Sequence, residues 1–370
     1  MQSQKALRPA QNKRSARLRP VPPQTPAPRR ESHARESQSR ATCGGFPYDY
    51  LSSDLRKKWL EAVKGYSFPG SDPAAWADFN KSASLVAAEV LPPPLAHLLR
   101  DLARPDGPDA IVLDNFPVDE VLVPTPLDGQ RPAGKPAVSE AVIAGSVGVM
   151  GAHMLSYRQE KKGEVLQQLV PIPGEEAKQS NTGRTKFGLH TDNANIPFRF
   201  RQQFLGLYGL RNEKDVATLV VTLEDIRRAI SPALLRKLRY PIYRFPAPLS
   251  FDLGGWHVLS EPRSVIWTDD NGVERIALPR SEFSQEDAEA DEAVNQFREF
   301  LDQIEPRRVV VGPGRFFIFR DSRVLHGRDA VEGDRWLQRV YISRTLDAHR
   351  AATNSGRRVF SFDARPLMMS

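Results

Sequence analysis

The chain has 370 residues, a formal net charge of +7, 40% apolar and 26% charged residues, and a single cysteine, Cys43. A chain of this length buries a full core without staples, one cysteine makes no internal disulfide, and the longest apolar run, Ala141 to Leu155, is glycine-interrupted and shorter than the ~20 residues a bilayer requires. Fibrous, disulfide-scaffold and membrane-spanning classes are excluded, and an N-terminus without a secretory apolar region makes the reducing cytoplasm the expected compartment.

The charge is unevenly spread. Met1 to Cys43 holds ten Lys/Arg against Glu31 and Glu36, a surplus of +8, which leaves −1 for the rest. Six prolines, many Ser and Gln and hardly any large apolar side chain predict a disordered basic tail over 1–43. As a function, such a tail suits a weak electrostatic arm for nucleic acid or an anionic partner. It has no aromatic interleaving and no binding motif, so nucleic acid is not the expected partner.

From Gly44 the chain reads as one folded unit to residue 370. Leu51 to Tyr66 and Pro73 to Leu99 have helical periodicity, the second interrupted at Pro92-Pro93-Pro94. Ala110–Asp114 reads as a strand, Val118 to Pro136 as a long proline-rich loop and Ser139 to Leu155 as a buried helix. After Gly163 the pattern turns to short alternating segments: 165–172, 187–192, 205–210, 217–223, 307–311, 315–319 and 336–343. One helix interrupts them, with Ser231 as N-cap and Pro232 at its first position. The expected fold is mainly β with flanking helices, a sandwich or barrel.

Chemistry enters at Phe187-Gly-Leu-His190-Thr-Asp192. On extended backbone, residues i and i+2 share a face, so His190 and Asp192 offer an imidazole and a carboxylate to one ion. The run from Arg307 to Phe319 reads as strand, Gly-Pro-Gly turn and strand, and it delivers His326 just past a buried strand. Two histidines and one carboxylate leave three positions open on iron, the arrangement of a non-haem Fe(II) oxygenase. His257 and His349 lack that context. Arg335 and Arg339 follow on one strand face with Cα atoms about 13 Å apart, placed to hold two carboxylates.

These stretches resemble the Fe(II)/2-oxoglutarate-dependent dioxygenases of the taurine dioxygenase type, and within them the clavaminate synthase and asparagine/arginine oxygenase group. The resemblance runs from about Ala110 to Thr345. It is carried by Gly163-Glu-Val-Leu-Gln-Gln-Leu-Val-Pro-Ile-Pro-Gly174, by His190-Thr-Asp192-Asn-Ala194, and by His326-Gly-Arg with Gly333-Asp-Arg-Trp-Leu-Gln-Arg339. It implies a double-stranded β-helix, or jelly roll, with His190, Asp192 and His326 as iron ligands. It further implies Arg335 as partner of the distal carboxylate of 2-oxoglutarate, with Thr218 as a helper and Arg339 as a second arginine for the cosubstrate or for a substrate carboxylate. The chain departs from the subgroup in having Asp192 where many members have Glu, and in a shorter segment between His326 and Arg335. Halogenating members replace the carboxylate ligand with Gly or Ala, and Asp192 argues against that chemistry.

The implied reaction uses O₂ and 2-oxoglutarate, releases succinate and CO₂, and hydroxylates an unactivated C–H bond. Desaturation or epoxidation needs the same parts, and a silent binding protein of this fold is the non-enzymatic alternative. In the amino-acid oxygenases a Gln-Glu pair and an Asn or Ser before the first ligand grip the substrate. Gln159-Glu160 and Ser180-Asn181 stand at comparable distances here, so the expected substrate is an amino acid, free or carrier-tethered. Trp267 to Gly272 reads as a hairpin turn, with a pocket edge as the alternative. Arg280 argues against an arginine substrate.

Overall fold

The computed structural model describes residues 41–368 except 249, 256, 280–284 and 286. The expected tail lies outside them up to residue 40, and its last two residues are not tail: Thr42–Cys43 (β1) pairs with Phe46–Tyr50 (β2) across Gly44 and Gly45, both at positive φ. Ser52 accepts from Leu55 N–H to start α1 (Ser53–Val63), and Asp72 accepts from Ala74 N–H to start α2 (Pro73–Val90). The three prolines end that helix because they donate no backbone hydrogen bond, and α3 (Pro93–Ala103) begins afresh. Strand β3 (Ala110–Asp114) and the loop expected from Val118 follow.

The helix expected from Ser139 to Leu155 is shorter. α4 (Val138–Val149) ends where Gly151 takes φ 73°, and the remaining apolar residues form β4 (His153–Tyr157). An apolar run buried on all sides has no period by which helix and strand separate, so only the glycine marks the break. α4 packs against α2 closely enough that a Cβ on Gly145 would lie 2.7 Å from the carbonyl oxygen of Ala83.

The strands then alternate between two sheets: β5 (Leu166–Leu169), β6 (Phe187–His190), β7 (Phe204–Asn212) and β8 (Ala217–Thr222). Helices α5 (Leu223–Ala229) and α6 (Pro232–Leu238) lead to a hairpin, β9 (Ile266–Thr268) and β10 (Glu274–Ile276), the turn expected at Trp267 to Gly272. α7 (Ala288–Asp302) was not foreseen, although Ala290, Ala293, Val294, Phe297 and Leu301 mark its buried stripe. The chain closes with β11 (Arg307–Val310), β12 (Phe316–Arg320), β13 (Val324–Arg328), β14 (Arg335–Ser343), α8 (Asp347–Thr353), β15 (Ser361–Phe362) and α9 (Ala364–Met368). His326 therefore sits inside a strand, β13, rather than beyond the end of one.

The large sheet runs β1-β2-β3-β12-β7-β14-β4-β15 with β5 also on β14, and the small one runs β11-β8-β13-β6. Alternation along β8 and β13 sorts their side chains. Val221 and Leu325, opposite one another, join the core formed with α5, α6 and α7, while Val220 and His326 take the other face, toward the main core. Among the described residues no helix is long and apolar enough to cross a membrane.

Candidate active site

His326 on β13 lies directly opposite His190 at the end of β6, so both imidazoles leave the small sheet on one face. Thr218 of β8 lies opposite Arg328 and shares that face. The strand expected to reach Asp192 stops at His190, yet the carboxylate converges because its backbone is held from three sides. The Asp192 N–H donates to Asp321 Oδ1 at 3.1 Å, and its carbonyl accepts from Arg201 Nη2 at 3.3 Å and Gln202 Nε2 at 3.2 Å. Asp192 Oδ1 then lies 3.2 Å from His190 Nε2 and 3.6 Å from His326 Nε2. One ligand atom from each of the three lies within 4.8 Å of the others.

This donor set fits a divalent transition-metal ion. His190 Nδ1 is 2.9 Å from the Gly188 carbonyl, which places the proton there and turns the Nε2 lone pair to the centre. Burial, followed by the neighbouring His190, pushes the His326 imidazole down to about 3, so it is neutral as a ligand must be. Burial works to raise Asp192, but Arg339 and the two imidazoles hold it well below the usual carboxylate range. Asp321 is pushed up to about 7 by burial and by Asp192, against the pull of Arg201.

The cleft in front of these residues draws its lining from both sheets. Arg335 and Arg339 enter it from β14, but their surroundings differ. Arg335 is buried, no carboxylate pairs with it among the described residues, and its Nε has no acceptor. Burial and nearby Arg328 lower its pKa. Thr218 Oγ1 in the same cleft is likewise without a partner. A buried cation and hydroxyl left open in this way fit an incoming carboxylate, which is the role expected for them.

Arg339 is engaged instead. Its Nη1 donates to Asp192 Oδ2 at 2.6 Å, its Nη2 to Glu160 Oε1 at 2.6 Å and its Nε to Gln167 Oε1 at 3.0 Å. The structure thus sets Arg339 apart from the open Arg335 and puts it at the Glu160 end of the cleft. Burial works against its charge, but Glu160, Tyr341 and Asp192 together raise its pKa.

Of the expected substrate residues, Glu160, Ser180 and Asn181 line the cleft. Gln159 does not: its Nε2 donates to Asp363 Oδ1 at 2.9 Å and its Oε1 accepts from Ala364 N–H at 2.7 Å, so it ties down the C-terminal segment. Asp269 is spent on its own turn and on Arg275. His349 bonds to the Phe200 carbonyl away from the cluster, and Arg280 lies outside the described residues. Gln167, Tyr341, Asp321, Arg201 and Gln202 were not foreseen as site residues. Gln167, Tyr341 and Asp321 reach Arg339 or Asp192 from distant segments, and Arg201 and Gln202 reach Asp192 from nine and ten residues on, contacts that no local motif announces.

The profile of the family described as "Taurine catabolism dioxygenase TauD, TfdA family" matches residues 127–341. The L-asparagine oxygenase of Streptomyces coelicolor is 30% identical over 305 residues, 79% of this chain and 87% of that protein. Clavaminate synthase 2 of Streptomyces clavuligerus is 26% identical over 305 residues, 78% and 90% of the two chains. Among solved structures, an asparagine oxygenase in complex with Fe(II), 2S,3S-3-hydroxyasparagine and succinate is similar with a TM-score of 0.72 and 25% identity, covering 86% of this chain and 99% of that one. The non-heme iron oxygenase OrfP, in complex with Fe and alpha-ketoglutaric acid, shares the fold with a TM-score of 0.69 at 21% identity, over 85% and 100% of the chains.

Proposed function

The chain belongs to the TauD, TfdA dioxygenase family, and from that premise we propose that it hydroxylates an unactivated C–H bond of an amino acid, free or carrier-tethered, while 2-oxoglutarate is converted to succinate and CO₂. The observation that carries this reading is the pairing, within one cleft, of the His190, Asp192 and His326 cluster with a buried Arg335 that has no anionic partner among the described residues. Fe(II) held by that cluster supplies the activation of O₂ that is coupled to decarboxylation of the cosubstrate.

The protein's own part is binding, orientation and exclusion of water. Arg335 and Thr218 receive the far carboxylate of 2-oxoglutarate, a charge-assisted contact made in a dry place. Glu160, half neutralised by Arg339 and reached by the Ser250 hydroxyl at 3.3 Å, accepts an α-ammonium. Arg339 has one Nη1 proton left for an α-carboxylate, and Asn181 adds an amide at the same end. Arg328 donates to the carbonyls of Ser180 and Gly183 at 3.1 and 3.0 Å and so steadies the loop that carries Asn181.

Phe187, Ala194, Pro246, Pro248 and Pro279 add apolar surface to the wall. The carboxylates lining the cleft among the described residues are Glu160 and Asp192, both bonded to Arg339. No acid free of Arg339 lines the cleft among the described residues, which supports a neutral substrate side chain.

The test is anaerobic addition of Fe(II) and 2-oxoglutarate, followed visibly by the chelate's charge-transfer band, then O₂ with a panel of amino acids and measurement of succinate. The band is expected in the wild type and absent in His326→Ala. Succinate is expected to rise with a neutral amino acid such as asparagine and to stay basal with arginine and lysine. A folded chain with no band overturns the iron assignment. Succinate driven by arginine or lysine overturns the neutral side chain.

A further inference from the structure

Asp192 is the one member of the cluster that carries two equivalent oxygens, and only one of them faces the imidazoles. Its Oδ2 accepts from Arg339 Nη1 at 2.6 Å and from the Tyr341 hydroxyl at 2.8 Å. A carboxylate oxygen has about two lone-pair sites, so these donors fill Oδ2 and leave Oδ1 to face His190 and His326. We propose that Tyr341 is a positioning residue which, together with Arg339, locks Asp192 as a one-oxygen ligand of the ion.

Tyr341 is built for the task by its place on β14. It lies two residues beyond Arg339 and on the same face, and the Arg339 guanidinium carbon sits 4.6 Å from its ring centroid. Its other side packs on Tyr157, with centroids 6.0 Å apart. At 1% exposure no water competes for the hydroxyl. The Tyr341 oxygen also lies 3.3 Å from Glu160 Oε1, but a phenol has one proton, and the shorter contact is to Asp192. The arrangement matters because a chelating cosubstrate and O₂ together need three open positions, and a second oxygen from Asp192 would take one of them. Groups that orient a metal ligand from behind set both affinity and geometry, although they never touch the ion.

The inference rests on the iron site proposed above, so its test is arranged to separate the two. The full-length chain is titrated anaerobically with Co(II), without 2-oxoglutarate or substrate, by calorimetry and by the visible cobalt spectrum. Tyr341→Phe removes one oxygen and keeps the ring. Tyr208→Phe is the matched control, because Tyr208 is also buried but donates to the Pro117 carbonyl at 2.5 Å, away from Asp192. Both variants are expected to melt near the wild type when metal-free. Tyr341→Phe should bind Co(II) about tenfold more weakly, with an altered spectrum as the second oxygen enters, and Tyr208→Phe should match the wild type. Wild-type affinity and spectrum in Tyr341→Phe overturn the proposal, as does equal weakening in Tyr208→Phe. A wild-type chain that binds no Co(II) overturns the iron site itself.

Discussion

Arg335 and Arg339 project from one face of one strand, four residues apart, with the same functional group and nearly the same burial. What separates them is the acceptors that other segments bring. Arg339 meets Asp192, Glu160 and Gln167, whereas Arg335 faces an open cleft that Thr218 also lines. Arg335→Gln is therefore expected to weaken 2-oxoglutarate by about 10- to 100-fold, the worth of a charge-assisted hydrogen bond of ~1.5–3 kcal/mol. The melting temperature of the unliganded chain should not fall, since the substitution removes a buried cation that no acid among the described residues compensates. Titrating 2-oxoglutarate into the anaerobic Fe(II) protein, with a thermal melt beside it, checks both halves; an unchanged affinity would take the cosubstrate role from Arg335. His190, Asp192, His326 and Arg335 were legible in the sequence because each stands in a short segment with its own signal: a His-x-Asp pair, a strand-turn-strand before a histidine, an arginine on an apolar strand. Tyr341 and Asp321 carried no such signal. Their partner, Asp192, lies 149 and 129 residues away, and only the sheet register brings them together. Gln159 and Glu160 show the converse: adjacent residues looked equivalent as a motif, but one turns to the C-terminal segment and the other into the cleft.

Among the elements, β7 is where the large sheet meets the Gly312-Pro-Gly314 turn that leads into β12. Gly209 N–H donates to the Arg315 carbonyl and Gly314 N–H to the Gly209 carbonyl, each at 3.0 Å, and a Cβ on Gly209 would lie 1.9 Å from the Gly312 oxygen. Backbone against backbone leaves nothing to rotate away, so Gly209→Ala should cost about 3 kcal/mol or more and lower the melting temperature by roughly 5 °C or beyond. Gly188→Ala is the comparison. It sits two residues before His190, a proposed iron ligand, and holds it through its carbonyl, yet nothing lies within 4 Å of the new methyl group and its φ is not positive. That variant should melt like the wild type, and equal destabilisation of the two would refute the close-approach argument. Element by element, α1, α2, α3, α6 and the existence of most alternating strands were readable, whereas the capped helices α5 and α7 were passed over. The α4 to β4 break was not, because residues buried on every side carry no period, and β13 was hidden between a recognised strand and a cluster of charged residues.

At the scale of the molecule the site is a joint between two sheets. The small sheet supplies His190, His326 and Thr218, the large sheet supplies Arg335 and Arg339, and Asp192 hangs between them on Arg339. Ion and cosubstrate should therefore stabilise the fold in a fixed order. A ligand present at 100 times its dissociation constant adds ~2.7 kcal/mol, which for a chain of this size raises the melting temperature by roughly 5 °C. Mn(II) alone should give one such increment by bridging His190, Asp192 and His326. 2-Oxoglutarate should add a second only when Mn(II) is present, because Arg335 grips one end of the molecule and the ion is needed for the other. His326→Ala should lose both increments, whereas Arg335→Gln should keep the first and lose the second. Thermal melts of the three chains with each ligand alone and together decide the matter. If 2-oxoglutarate stabilises the metal-free chain as much as the loaded one, the cosubstrate is held by the large sheet alone and the two sheets are not joined through it.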